Sequence, residues 1–364
     1  MKGTANRTTT RRLRAALSAA VVACTLTAVL PTAASAATSS TTGDTVERIS
    51  VAADGTQGGD NSQDASITPD GHHVVFSSSA ANLTPDQADG GAKVFVRDQP
   101  TGQTKRIGYL TTLQPPTISD DGAYAAYPVQ WMANVRIREY QVGTGRTISA
   151  NCVWSCDQPS FNGDGRSLVL AFFNERRAAT QRIEVQNLGG PTQTVADLGN
   201  ALPARPSISS DGHHVAYQDA QAGNVFVWDG TNGTTSDPIS GPQGASLVQL
   251  SADGTEVVYL SGSDTYVHDV ASGSEQLVPN SRGVAVDPTG RYLLYAPQGA
   301  TGGPSLVLRD LQTGTDRTVS DQPASAGVRA VSSGGRDVVF QSTAGGIVPG
   351  DANGKSQVYV RHFG

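Results

Sequence analysis

Ser207-Ile208-Ser209-Ser210-Asp211-Gly212-His213-His214-Val215-Ala216-Tyr217 reads as a short strand, a tight Asp-Gly turn and a second strand ending on an aromatic. Asp-Gly between two apolar runs is a strong hairpin signal, because glycine supplies the positive φ that a primed turn demands. Versions of the stretch recur seven times, with turn glycines at Gly71, Gly122, Gly165, Gly212, Gly254, Gly290 and Gly335. The gaps between them are 51, 43, 47, 42, 36 and 45 residues. Self-similarity at that period, with four short strands per unit of about 40–45 residues, is the pattern of propeller blades.

The third strand of each unit is as repetitive as the hairpin: Val94-Phe95-Val96-Arg97-Asp98, Val225-Phe226-Val227-Trp228-Asp229 and Leu306-Val307-Leu308-Arg309-Asp310 are three of seven. β-Branched residues there suit a buried pleated surface. A Thr-Gly turn then leads into a fourth strand, as at Thr101-Gly102 and Thr313-Gly314. The last unit reaches Gly364 with three strands, while Thr45-Val46-Glu47-Arg48-Ile49 carries the fourth-strand pattern ahead of the first unit. The reading is an all-β, seven-bladed β-propeller of four-stranded antiparallel blades over residues 45–364. Its N-terminal strand completes the last blade and hides two sheet edges.

The run Ile-Ser-x-Asp-Gly-x-x-Val-Ala-Tyr, with Val-Phe-Val-x-Asp and Thr-Gly after it, resembles the TolB-like, WD40-like propeller repeat of secreted bacterial proteins. The resemblance covers residues 45–364 and implies the fold and a binding role. TolB itself carries a further α/β domain before its propeller, for which this chain has no room.

Residues 1–36 have the form of a secretory signal: a basic start with Arg11, Arg12 and Arg14, an apolar run from Ala15 to Leu30, and Ala34-Ser35-Ala36 as cleavage site. A short tail, 37–44, follows. Removing the leader takes away five cations and no anion, so the whole-chain charge of −6 becomes −11. A second reading of the leader makes Val21-Val22-Ala23-Cys24 a lipobox that anchors the chain through Cys24. No other stretch has the apolar length of a membrane span. An acidic surface with four lysines lacks the clustered cations that nucleic acid or an anionic membrane requires. With Cys24 removed, Cys152 and Cys156 remain and form a local disulfide in an oxidising compartment.

Strand order places the short Asp-Gly and Thr-Gly turns on one face of the ring. The longer, more varied connections lie on the other, where function concentrates. There the sequence brings Trp131 and Met132 of blade two beside Trp154, between the cysteines, and Phe173, Glu175, Arg176 and Arg177 of blade three, with Arg205 entering blade four. Aromatics beside arginines make binding hot spots; the same residues also suit a cap over the gap between two blades. The expected partner is a protein or cell-envelope component, bound by a monomeric, extracellular, non-catalytic propeller.

Calcium is the one cofactor the sequence suggests. Asp86 and Asp89 in blade one and Asp351 and Asn353 in blade seven alternate oxygens before a glycine, but Lys93 and Gln357 stand where a further acid would complete such a loop. Asx-stabilised turns are the plainer reading. No Gly-x-Ser-x-Gly elbow or His-Glu-x-x-His motif is present. The alternative function is a carbohydrate-active lyase or hydrolase with a site in the central channel, where Arg205, Arg282 and Arg329 form a cationic funnel.

Overall fold

The structure, a computed structural model, describes residues 43–86, 90–152, 155–174, 180–199, 202–299, 302–351 and 353–364. They form seven antiparallel sheets, with strands named a to d from the axis outward. Blade one is Ser62–Ile67, His73–Ser78, Lys93–Asp98 and Gln103–Arg106. Blade two is Thr117–Ile118, Tyr124–Trp131, Asn134–Gln141 and Thr147–Ser149, and blade three Ser155–Phe161, Ser167–Asn174, Thr180–Asn187 and Thr192–Leu198. Blades four, five and six begin at Ser207–Ile208, Ser246–Leu250 and Ser281–Val286.

Blade seven closes the ring as the sequence predicts. Asp337–Ser342 pairs with Gln357–His362, which pairs in turn with Thr45–Arg48, while Val331 bridges Val338 on the inner side. Arg48 reaches Asp351 at 3.1 Å in the same blade, and Ser50 donates to the Gln357 side chain at 2.6 Å.

The a–b turns differ from the two-residue primed turn expected from Asp-Gly. Thr68 N bonds to His73 O, so four residues turn, and Gly71 N bonds back to Thr68 O at 2.9 Å. The same bond from glycine to the third residue before it occurs in all seven blades. Aspartate acts as an acceptor: Asp211 Oδ1 takes the Ser209 hydroxyl at 2.6 Å and the His213 backbone N–H at 2.9 Å. The arrangement is a side-chain-closed turn followed by a left-handed glycine.

Those glycines also join the blades. The first strand-b residue of each blade packs on the turn glycine of the next: His73 on Gly122, Tyr124 on Gly165, Ser167 on Gly212, His214 on Gly254, Glu256 on Gly290, Tyr292 on Gly335, and Asp337 of blade seven on Gly71 of blade one. A Cβ on Gly122 would stand 2.7 Å from the His73 ring. Between blades the apolar seams fill with strand b and c residues, such as Val75, Val94 and Val96 against Ile118, Tyr127 and Val129. Within blades, aromatics directly across strands b and c stack, as in Tyr217–Phe226 at 5.4 Å and Tyr259–Tyr266 at 5.2 Å.

Two predictions follow from this lock. Gly165→Ala meets both a left-handed backbone and the Tyr124 ring, and should cost about 3 kcal/mol or more. Gly314→Ala, at φ +72° with nothing within 4 Å, should cost only the backbone penalty of about 1–2 kcal/mol. Urea unfolding of both variants checks this, and equal losses would contradict the inter-blade role.

Glu256 is one of two acidic knobs in the series, with Asp337. Burial, then the charges of Asp269 and Asp253, push its pKa from 4.5 up to about 7. The folded state thus keeps a proton that the unfolded chain releases, and stability falls as pH rises from 4.5 through 7. Glu256→Gln should stabilise the protein at pH 8 by about 1 kcal/mol, the shift being discounted for solvent screening, and leave it unchanged near pH 4. Thermal melts at the two pH values test this; a gain of the same size at both would refute it.

Candidate functional site

The inner ends of the a strands, on the long-connection face, surround a vestibule of about 430 Å³ to which every blade contributes. Its polarity is uneven. Blades one to four present hydroxyls at the residue where each a strand pairs with strand b: Ser66, Thr117, Ser160 and Ser207. Blades five to seven present Val248, Leu260, Val284 and Val328, with Arg282 and Arg329 among them. Arg205 completes the cationic set from blade four, and Asp64 is the one carboxylate in the wall among the described residues.

Backbone geometry aims these side chains. Asp64, Gln158 and Arg205 hold φ values of 58°, 56° and 47°, each two residues before the pairing hydroxyl, and Arg329 holds 58°. Non-glycine residues rarely occupy this region, and strained positions of this kind gather at functional sites. Here a β-bulge accompanies them: pairing in blade one skips from Gln63 to Ser66 and in blade three from Asp157 to Ser160. Glutamines of other blades brace these left-handed residues. Gln158 Oε1 accepts the Arg205 N–H at 2.7 Å, Gln341 Oε1 that of Asp64 at 2.6 Å, and Gln249 Oε1 that of Arg329 at 2.9 Å.

Arg329 crosses the channel and floors the vestibule. It pairs with Asp120 of blade two and donates to Phe161 O of blade three at 3.0 Å; Asp120 also receives the Ser210 hydroxyl. Beneath it lies a space of about 20 Å³ lined by Ile67, Asp120, Ile208, Leu250, Val286 and Val331. Beside the vestibule, Asp157 is buried, bonded to Gln114, and burial raises its pKa.

The sequence-derived patch is redistributed. Trp131 and Met132 belong to no long loop: strands b and c of blade two extend to eight residues each and turn at Met132-Ala133, with Trp131 paired to Asn134. Met132 takes φ 54° at that tip and is 87 % exposed. Arg138 stacks over Trp131 at 5.2 Å. Phe173 is half-buried within blade three, paired with Ser155 and Gln181. Trp154, Glu175, Arg176 and Arg177 lie outside the described residues, as does Asp89. Cys152 and Cys156 are joined as a disulfide. Arg205 belongs with the vestibule, as the funnel reading had it.

Trp131 has apolar company that the sequence reading missed. The connection from blade one to blade two runs antiparallel beside the Trp131 strand, with Thr112 bridged to Val129 and Leu113 N bonded to Pro128 O. It leaves Tyr109, Leu110 and Leu113 exposed along the same edge, with Arg106 stacked on Tyr109 at 4.3 Å. Ile107-Gly108-Tyr109-Leu110, an apolar run inside a connection, was the available signal.

The calcium candidates serve other bonds. Asp86 pairs with Arg106 at 2.6 Å; Asp351 is buried against Arg48 and Tyr359; Asn353 donates to Gly58 O at 2.9 Å. Among the described residues, no three His, Cys, Asp or Glu side chains come together as a metal-holding group.

No family model matches the sequence, and no curated protein matches it either. Among solved structures the chain is similar to an oligogalacturonate lyase in complex with manganese, with a TM-score of 0.62 and 14% identity over 88% of this chain and 93% of that one. It is likewise similar to the oligogalacturonate lyase of Vibrio parahaemolyticus, with a TM-score of 0.62 and 13% identity over 88% and 97%. TolB from Acinetobacter baumannii aligns over 60% of this chain and 54% of its own, with 18% identity and a TM-score of 0.44. At these identities the shared property is the β-propeller fold.

The floor of the vestibule is testable on its own. Arg329 and Asp120 side chains are 16% and 13% exposed, so removing either leaves the other charge stranded. Arg329→Met and Asp120→Asn should each cost about 3 kcal/mol, and the double variant should recover part of the loss. A double-mutant cycle in urea measures it; strictly additive losses would show that the pair is not coupled.

Proposed function

We propose that the chain is an exported, non-catalytic recognition propeller that binds a protein or cell-envelope component on its long-connection face. The leader of residues 1–36 is removed and residues 45–364 form the working ring. The observation that carries this reading is the edge shared by blades one and two. Five of the nine exposed large apolar side chains among the described residues, Tyr109, Leu110, Leu113, Trp131 and Met132, lie there, and two arginines stack on its aromatics. Exposed apolar surface of this kind, carrying tryptophan, tyrosine and arginine, is the composition of interface hot spots. A disulfide accords with an oxidising compartment. Among the described residues the vestibule wall holds no histidine or cysteine and one carboxylate, which is not a donor set for manganese.

Capture from cell-envelope fractions tests the proposal, with the exported chain compared against a Trp131→Ala, Met132→Ala, Tyr109→Ala variant. A component retained by the wild type should be lost by the variant at least tenfold, each aromatic contributing about 2 kcal/mol, while the melting transition stays in place. Equal capture by both proteins would remove the working surface from this edge.

A further inference from the structure

We propose that the central vestibule is a binding site for a small hydroxy-carboxylate, with Arg205 and Arg282 taking the carboxylate and the hydroxyls of Ser66 and Thr117 facing the ligand's own hydroxyls. The site is separate from the apolar edge and stands without it.

The volume of the vestibule, about 430 Å³, lies in the range of small-molecule sites. Its arginines outnumber the one carboxylate among its described lining residues. Arg329 is satisfied by Asp120 below, and Asp64 is engaged by Gln63 and Ser77 at 3.2 and 3.1 Å. Arg205 and Arg282 are both exposed in the mouth, and neither has a carboxylate partner among the described residues; the Arg205 side chain makes one long bond, 3.5 Å, to Leu247 O. Some arginines elsewhere on the ring are matched, as Arg291 is with Asp310 and Arg309 with Asp316. Two unmatched guanidinium groups in a concave wall are an anion receptor, because the planar fork fits a carboxylate.

The hydroxyls supply the second half of the argument. In blades three and four the equivalent groups are used internally: Ser160 accepts from Ile208 N at 3.5 Å and Ser207 from Leu250 N at 3.2 Å. Ser66 and Thr117, 4% and 6% exposed, belong to the vestibule wall, and their buried hydroxyl oxygens have no hydrogen-bond partner among the described residues. Buried polar groups are ordinarily paired, and each exception needs a reason. A ligand carrying hydroxyls provides one, and the valines of blades five to seven give its carbon skeleton an apolar wall.

Isothermal titration calorimetry of the exported chain at low ionic strength tests the proposal, with D-glucuronate, citrate, inorganic phosphate and glucose as probes. Glucuronate or citrate should bind; which is tighter tells whether the ligand is a sugar acid or a hydroxy-polycarboxylate. Arg205→Gln combined with Arg282→Gln should weaken that binding at least tenfold with the fold intact, since Gln158 already occupies the equivalent left-handed position in blade three. Ser66→Ala with Thr117→Ala should weaken it severalfold, and Trp131→Ala with Met132→Ala should leave it unchanged, which separates this site from the apolar edge. Absence of heat with both acids at millimolar concentration would overturn the proposal, as would phosphate or glucose binding equally well, or unaltered binding by the double glutamine variant.

Discussion

Every blade of this propeller rests a side chain on the bare backbone of its neighbour's turn glycine, and the seventh contact, Asp337 on Gly71, returns to the start of the ring. Glycine is required there twice over. Its positive φ turns the chain out of strand a, and its missing Cβ leaves the space the next blade fills. Because both demands fall on one residue per repeat, the turn face admits little variation. The strand Thr45–Arg48 then seals blade seven, and Asp337 carries both the inter-blade contact and a 2.8 Å pair with His362.

A face consumed by structure leaves the opposite face to specialise. There the a strands, closest to the axis, must converge without clashing, and bulged left-handed residues solve that problem while pointing polar side chains into the centre. Glutamines from other blades cap the backbone of these residues, so the strain is held by hydrogen bonds that cross from blade to blade. The Arg329–Asp120 pair closes the channel below, turning a through-hole into a cup with a charged floor. At the outer edge of the same face, the lengthened hairpin of blade two carries Trp131 and Met132 clear of the ring.

The repeat, the blade count and the closing strand were all legible in the sequence, because each rests on local turn chemistry and on strand periodicity. The disulfide was legible from spacing and compartment. What escaped notice depends on registers that periodicity does not encode. Nothing in Val129-Gln130-Trp131-Met132 says that pairing continues to the tip, since a loop and an extended hairpin have the same composition. Tyr109 and Leu110 are exposed because their connection lies on top of blade two. Asp351 resembled a calcium ligand because its partners, Arg48 and Tyr359, reach it only after the ring closes. The Arg205 side chain was assigned to two places, and only the left-handed backbone at φ 47° puts it in the vestibule.

On this reading the cup formed by the a strands receives an organic acid while the turn face holds the ring together. A crystal structure of the exported chain, grown at low ionic strength with D-glucuronate or citrate, tests it most directly. Density for the acid should lie between Arg205 and Arg282, above an intact Arg329–Asp120 pair. Density for the acid only on the turn face, or a vestibule holding water alone under these conditions, would contradict it.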